Sequence, residues 1–166
     1  MKYSKAIIIF LLAFLCQGSL LNLFSILGAT PNLILCLVVI FSFLYEGKNY
    51  GMVLGVVFGL LTDICYMQYV GVSALGYFLV AFSIVLLREL VNKENIASIL
   101  LTTALVTLIF NIFVWLAYAI LDSNIRFGYM IKYQPIYIAY NLVVVLILYQ
   151  VVIRRVIKHR RDRYYI

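Results

Sequence analysis

The sequence predicts an all-α integral membrane protein with six transmembrane helices. Of its 166 residues, 66% are hydrophobic and only 11% are charged, whereas about a quarter of the residues in a soluble domain are charged. The apolar residues also fall into six runs, most of them close to the length of about 20 residues with which a helix crosses a bilayer. We expect a single polytopic membrane domain over residues 1–166, which leaves no room for a soluble catalytic domain.

The length and the flanking residues of each apolar run support its assignment as a membrane span. The predicted spans lie near residues 6–27, 31–45, 50–69, 72–91, 96–121 and 136–156, and a basic tail follows at 157–166. The first run is a retained helix rather than a signal peptide, because no small-residue cleavage site ends it. The second is short and tilts little or is partly re-entrant, with Pro31 suited to the first turn of its helix. The fifth is long, which favours a tilted helix, and the longest loop, from Asp122 to Gln134, precedes the sixth.

Basic residues predict the orientation of the chain. With the N-terminus in the cytoplasm, eleven of the thirteen Lys and Arg residues lie in cytoplasmic segments, and only Arg126 and Lys132 lie outside. The positive-inside rule therefore places both termini in the cytoplasm. The tail cluster, which we expect to contact anionic lipid headgroups or a cytoplasmic partner, consists of Arg154, Arg155, Lys158, Arg160, Arg161 and Arg163. This clustering beside a membrane helix argues against nucleic acid as the reason for the net charge of +7.

The third predicted span carries a stripe of glycines. Gly51, Gly55 and Gly59 recur at four-residue spacing and lead to Asp63 one turn further on. Residues four apart share a helix face, and glycine lets a second helix approach closely in lipid. We expect this glycine stripe to dock a hydrophobic helix of a partner protein. The alternative is that a helix of the same chain fills it.

Asp63 is the only acid well inside a predicted span, where a charge is costly unless it has a partner. Three interpretations remain open. The carboxylate is an internal hydrogen-bond anchor that fixes helix packing, with Asn111, Asn141, Ser or Thr as candidate partners. Alternatively, it contacts a partner chain or a bound small molecule, or it takes part in a proton- or cation-coupled process.

Catalytic constellations are missing from the sequence. An intramembrane aspartyl protease needs two carboxylates that share a proton, but the only other candidate, Asp122, lies at a loop boundary. The sole histidine, His159, lies in the basic tail. There is no Cys/His cluster to predict a metal, and the three cysteines inside apolar runs do not indicate a disulfide framework. We therefore predict a protein that is not an enzyme and that has no metal site or cofactor.

The order of motifs between residues 31 and 90 matches a known family. Pro31-Asn32-Leu33 opens the short second span, the glycine stripe and Asp63 follow, and then come Gly71, Leu75-Gly76-Tyr77 and Arg88. This order, together with the size and the basic tail, resembles the bacterial rod shape-determining protein MreD family. Gly71 and Gly76 thereby join the glycine stripe as candidate partner-binding or helix-packing residues. Many relatives carry an acid at the position of Asn32, so no second carboxylate can be assigned there.

The resemblance implies a non-enzymatic scaffold subunit of the cell-elongation machinery in the bacterial cytoplasmic membrane. Its expected partners are an MreC-like single-pass membrane protein and, beyond it, MreB, RodA and a class B penicillin-binding protein, which support peptidoglycan synthesis; a homo-oligomer is compatible with the sequence. The family's fold is also similar to the six-helix substrate-binding components of energy-coupling-factor vitamin transporters. A small-molecule-binding subunit of such a transporter is therefore the alternative function, and fold similarity alone cannot decide between the two.

Overall fold

The structure, a computed structural model, describes residues 3–19, 29–44, 49–87, 95–121 and 127–161, without the side chains at 44, 129 and 151–161. Over these ranges the chain forms α1 (Tyr3–Ser19), α2 (Leu33–Leu44), α3 (Tyr50–Tyr66), α4 (Val72–Leu87), α5 (Ile96–Ile120) and α6 (Phe127–Arg161). The all-helical architecture confirms the predicted class, and each helix coincides with one predicted apolar run. That all six cross a bilayer stays a prediction. The predicted span ends at 20–27, 45 and 88–91 lie outside the described residues, and Arg88 lies among them.

Helix α2 lies at the centre of the bundle. It contacts all five other helices, and every side chain from 34 to 43 is buried. Its sequence is apolar on all sides, as a helix surrounded by other helices requires. Its 12 residues give a length of about 18 Å, which is well short of the roughly 30 Å hydrocarbon core of a bilayer. The short second run is therefore the core helix of the bundle.

Helices α3 and α4 form a tight hairpin. Helix α3 ends at Tyr66, where the backbone N–H of Met67 donates to the carbonyl oxygen of Asp63 over 3.1 Å. Gly71 then adopts a φ of +102°, a left-handed conformation that glycine takes without steric cost. The chain can therefore reverse within a few residues, and the first turn of α4 comes to lie beside the last turn of α3.

Helices α5 and α6 are the longest of the six. Helix α5 begins after Asn95, whose side-chain oxygen accepts a hydrogen bond from the N–H of Ala97 over 3.0 Å. By length and composition, the segments able to cross a membrane within the described ranges are Ile96–Ile120 and Met130–Gln150. The other four helices are apolar but shorter.

Helix α6 begins earlier than the sequence predicted. The expected loop from Asp122 to Gln134 is wrong over residues 127–134, because these residues are helical and Pro135 lies inside the helix. The expected start of the sixth span near 136 stays a prediction. Inside a helix, proline lacks the N–H that would bond the carbonyl four residues earlier. In membrane helices, however, neighbouring groups and local adjustments can replace the hydrogen bond that proline cannot make.

The outward faces of the bundle are apolar. Large hydrophobic side chains are exposed on α1, α3, α4, α5 and α6, and Ile64, Leu86 and Leu101 each expose more than 60% of their surface. Soluble monomers rarely expose contiguous apolar patches of more than a few hundred Å². An exterior of this kind suits the hydrocarbon of a bilayer.

Candidate functional site

Asp63 lies fully buried in the last turn of α3 and points at the start of α4. Its carboxylate accepts hydrogen bonds from three backbone N–H groups: Gly71 at 2.9 Å, Ser73 at 3.0 and 3.1 Å, and Ala74 at 3.3 Å. The first N–H groups of a helix have no acceptor within the helix, and the N-terminus carries a partial positive charge that favours an anion. Asp63 therefore caps α4 from the preceding helix.

These partners differ from those expected from the sequence. Asn111 and Asn141 bond other groups, to Gln134 and Thr107 respectively, and the contact to Ser73 uses its backbone rather than its hydroxyl. Of the expected partners, Asn111 and Asn141 are therefore wrong, whereas a serine, Ser73, bonds Asp63 through its backbone N–H. The geometry agrees with an internal anchor, and four N–H···O contacts occupy the acceptor positions that a ligand or coupled cation would otherwise use.

The glycine stripe faces helices of the same chain. A Cβ atom at Gly51 would overlap the Ser42 hydroxyl of α2, and one at Gly55 would lie 2.8 Å from Cγ2 of Val38. At Gly59 it would lie 2.7 Å from Cα of Ala74 in α4. The hypothesis that this stripe docks a partner helix is not supported by the geometry, because α2 and α4 already fill the space.

The two remaining candidate glycines also act within the bundle. A Cβ atom at Gly76 would lie 2.7 Å from the ring of Phe110, so α4 and α5 can approach closely there. Gly71 has open space around it, and its role is the positive φ of the α3–α4 turn. Hence the five candidate glycines are turn or packing positions in this structure, and any contact of theirs with a partner stays a proposal.

A second polar centre, which the sequence did not single out, surrounds the start of α2. The side-chain oxygen of Asn32 accepts from the N–H of Leu35 and from the hydroxyl of Tyr77, both over 2.9 Å. The backbone N–H of Asn32 donates to Oδ1 of Asn141 over 2.9 Å, and the Asn141 amide donates to the Thr107 hydroxyl over 3.1 Å. Residues from α2, α4, α5 and α6 therefore meet in one network.

Helix α1 joins this network through Gln17, whose side-chain oxygen accepts from the N–H of Ile34 over 3.2 Å. Hydrogen bonds in a low dielectric are stronger than in water, so this network ties the five helices to one another. An Asn just ahead of an apolar run is a recognisable helix-cap signal. The cap at Asn32 was therefore within reach of sequence analysis, whereas its contacts to other helices were not.

A third polar pair lies between α5 and α6 and is only partly bonded. The Asn111 amide donates to the side-chain oxygen of Gln134 over 2.9 Å. Gln134 is 9% exposed, and its Nε2 atom has no hydrogen-bond partner among the described residues. A buried donor left unpaired costs about 1–3 kcal/mol. This cost offsets part of the stabilisation that the Asn111–Gln134 hydrogen bond gives.

The other predicted sites give less information. The backbone of the tail cluster is helical up to Arg161, but its side chains lie outside the described part, as does all of Arg163. Across the described residues, no group of three or more His, Cys, Asp or Glu side chains could hold a metal ion.

Comparison with known protein families gives a match over residues 2–157 to the family described as rod shape-determining protein MreD. The chain belongs to the MreD family. The match extends far beyond residues 31–90, on which the resemblance in sequence rested, and covers nearly the whole chain. A search of characterised proteins and a search of solved structures each found no match.

Membership in the MreD family gives the chain a role in rod-shape determination and makes it a membrane protein. The apolar exterior and the two membrane-length helices agree with this. MreD proteins are structural components of the shape machinery and are not a known enzyme family. The comparison favours this role over the vitamin-transporter alternative, and similarity to that transporter fold stays a prediction.

Proposed function

We propose that this chain is a non-enzymatic scaffold subunit of the cell-elongation machinery, which binds an MreC-like single-pass membrane protein and thereby supports peptidoglycan synthesis. The observation that carries the proposal is the MreD family match over residues 2–157. MreB, RodA and a class B penicillin-binding protein are the proposed further members of the assembly.

The internal hydrogen bonding supports a scaffold. Asp63 and Asn32 bind groups within the chain, so the bundle presents a firm body with an apolar exterior. Since α2 and α4 occupy the glycine stripe, we place the partner helix on an outward face. On α3 this face includes Val53 and Val57, which are 48% and 46% exposed. Helix association in lipid depends on close packing, and such a face offers side chains for it.

The proposed setting is the bacterial cytoplasmic membrane, with six spans and both termini in the cytoplasm. The distribution of Lys and Arg supports this orientation. In it, the tail cluster lies at the cytoplasmic surface, where each basic residue contributes about 1 kcal/mol to binding of anionic lipid. The same cluster is available to a cytoplasmic partner.

Deletion and copurification in the native rod-shaped host test the proposal. Cells without the chain should become round, and a plasmid copy should restore the rods. A tagged copy, extracted in mild detergent, should bring down a single-pass protein with a large domain outside the cytoplasm. The same tag on an unrelated multi-pass protein of that host is the control. Unchanged rods after deletion, or purification without such a companion, would contradict the scaffold function.

A further inference from the structure

Helices α3 and α5 run in the same direction on either side of α4, and they end at the same height in the bundle. At this end, the hydroxyl of Tyr118 donates to Sδ of Met67 over 3.7 Å, and that of Tyr69 donates to the carbonyl oxygen of Leu121 over 2.7 Å. Helix α3 has 17 residues and α5 has 25, so α5 is about 12 Å longer. Most of this extra length, about 8 Å, therefore lies at the start of α5.

At the height where α3 begins, two sides of the bundle carry surfaces of opposite polarity. On α3, the first helical residue is preceded by Asn49, which is exposed, and Lys48 comes before it in the sequence. At about the same height on α5, Leu101 exposes 65% of its surface. The polar groups need water, whereas the leucine favours hydrocarbon. A flat boundary between hydrocarbon and water cannot satisfy both sides.

The first turn of α1 lies at the same height as the start of α3. The rings of Tyr3 and Tyr50 have their centroids 4.2 Å apart. Lys5, in this first turn, is exposed, and a charged side chain near a helix end extends to the interface. Because α1 and α3 contact each other, they form one side of the bundle, called the short side below. The tall side is the exposed face of α5.

We propose that the short side binds a locally thinned bilayer, whose hydrocarbon layer is about 8 Å thinner there than along the tall side. A bilayer adapts to a short apolar surface by thinning, at a modest cost for each Å of mismatch. Such mismatch also drives some helix association, so a partner helix that covered Val53 and Val57 would displace strained lipid. The difference in thickness requires a bundle embedded in a membrane, but it does not depend on the scaffold function.

Spin labels at matched heights measure this difference. Val53→Cys on α3 and Leu105→Cys on α5 lie at about the same height, at positions that are 48% and 50% exposed. Each is labelled singly in the full chain without its native cysteines, in vesicles of dioleoyl phosphatidylcholine and dioleoyl phosphatidylglycerol. Collisions with oxygen and with a water-soluble nickel complex give the depth of each label. The Val53 label should lie about 5–8 Å closer to water than the Leu105 label, and equal depths would overturn the proposal.

A second pair of labels, near the level ends of α3 and α5, separates thinning from a tilt of the whole bundle. Ile64→Cys and Leu116→Cys are also exposed at matched heights, and their labels should lie at equal depth. A rigid tilt would instead place the Ile64 label deeper than the Leu116 label, and this result would contradict local thinning. If a variant of the first pair does not fold, Val57→Cys and a label at Ile109 of α5 replace that pair, with the same expected sign.

Removal of the polar groups tests the cause of the thinning. Lys48→Leu combined with Asn49→Leu should move the Val53 label deeper, towards the depth of the Leu105 label, because the start of α3 then no longer needs water. Asn49 makes no side-chain cap bond, so its loss leaves the helix start intact. Lys132→Leu, near the other end of the bundle, is the control and should leave the depth unchanged. A Val53 label that stays equally shallow in the double variant would also overturn the proposal.

Discussion

At the scale of single residues, Asp63 shows how an acid is accommodated in an apolar bundle. It is fully buried, but its carboxylate meets backbone N–H groups that would themselves lack acceptors at the start of α4. Hydrogen bonds to a charged acceptor are roughly twice as strong as neutral ones. The acid and the helix terminus therefore satisfy each other, and this arrangement ties α4 to α3.

The first prediction concerns removal of this cap. We expect Asp63→Leu to lower the free energy of unfolding by about 2–3 kcal/mol, because it leaves the N–H groups at the start of α4 unpaired. Asp63→Asn should cost less, since its amide oxygen still accepts. Thermal unfolding in one detergent measures both. The control Asn95→Ala removes an exposed cap and should cost about 1 kcal/mol. Equal stability of the Leu and Asn variants would contradict the capping role.

The second prediction concerns Asn32, whose side chain acts as an acceptor in its described bonds to Leu35 and Tyr77. Asn32→Asp keeps an acceptor oxygen and should fold with nearly unchanged stability. Asn32→Ala loses both bonds and should be less stable by about 1–2 kcal/mol. Unfolding temperatures of the purified variants check this.

Tyr77→Phe serves as the control for Asn32, since it deletes one of the two bonds and keeps the stacking of the ring on Phe110. Its loss of stability should be smaller than that of Asn32→Ala. If Asn32→Asp proves as damaging as Asn32→Ala, the side chain must also act as a donor, and the described network would be incomplete.

Part of these two sites was predictable from the sequence. The depth of Asp63 and its need for a partner followed from hydropathy, but its donors are backbone N–H groups, which every residue except proline carries and which therefore leave no sequence signal. The Pro31-Asn32 pair ahead of an apolar run indicates a cap. That Tyr77 and Asn141 would reach Asn32 depends on the helix packing, which no local pattern contains.

At the scale of helices, the glycine stripe shows what a pattern can and cannot predict. The glycines at four-residue spacing lie against α2 and α4 in the structure. The spacing did not identify the neighbouring helix, because a small-residue face serves internal and external packing equally. The extent of α6 has no unique signal for a related reason: Pro135 is compatible with a helix start and, in a membrane, with a helix interior.

The third prediction tests whether the glycine face of α3 packs against helices of the same chain or against a partner protein. Gly55→Leu places a side chain against Val38 and Tyr77, and overpacking of this kind costs about 1–3 kcal/mol. We expect this variant to unfold at lower temperature. Val57→Leu, on the exposed face of the same helix, should keep the stability of the parent protein. The two variants are compared by thermal unfolding and by copurification of the single-pass partner. A stable Gly55→Leu variant that loses only its partner would restore the docking hypothesis for the stripe.

At the scale of the whole molecule, the apolar exterior agrees with a membrane protein, and the asymmetry of basic residues predicts its orientation. The two properties are independent, since one comes from Lys and Arg near the helix ends and the other from exposed side chains along the helices. Overall class and family were therefore predictable from composition and motif order. The central position of α2 was not, because a short apolar run is equally compatible with an edge position.

The fourth prediction is the six-span topology. Ser123→Cys and Arg163→Cys are introduced separately into a variant without the three native cysteines. An impermeant thiol reagent should label the first in intact cells and the second only after the membrane is opened, because the positive-inside rule places the tail in the cytoplasm. Labelling of Arg163→Cys in intact cells would contradict this orientation.

The short central helix has a consequence for biogenesis. The described part of α2 is about 18 Å long, shorter than the roughly 30 Å hydrocarbon core, and the groups that bond its first turn and its cap at Asn32 come from α1, α4 and α6. During synthesis, Tyr77 and Asn141 emerge after α2 has left the ribosome. Until they arrive, the first turn of α2 lacks two of its permanent partners, and the nascent chain depends on interim protection by the insertion machinery. Truncated chains that end before residue 141 should therefore be degraded rapidly, even though most of the apolar sequence has been made.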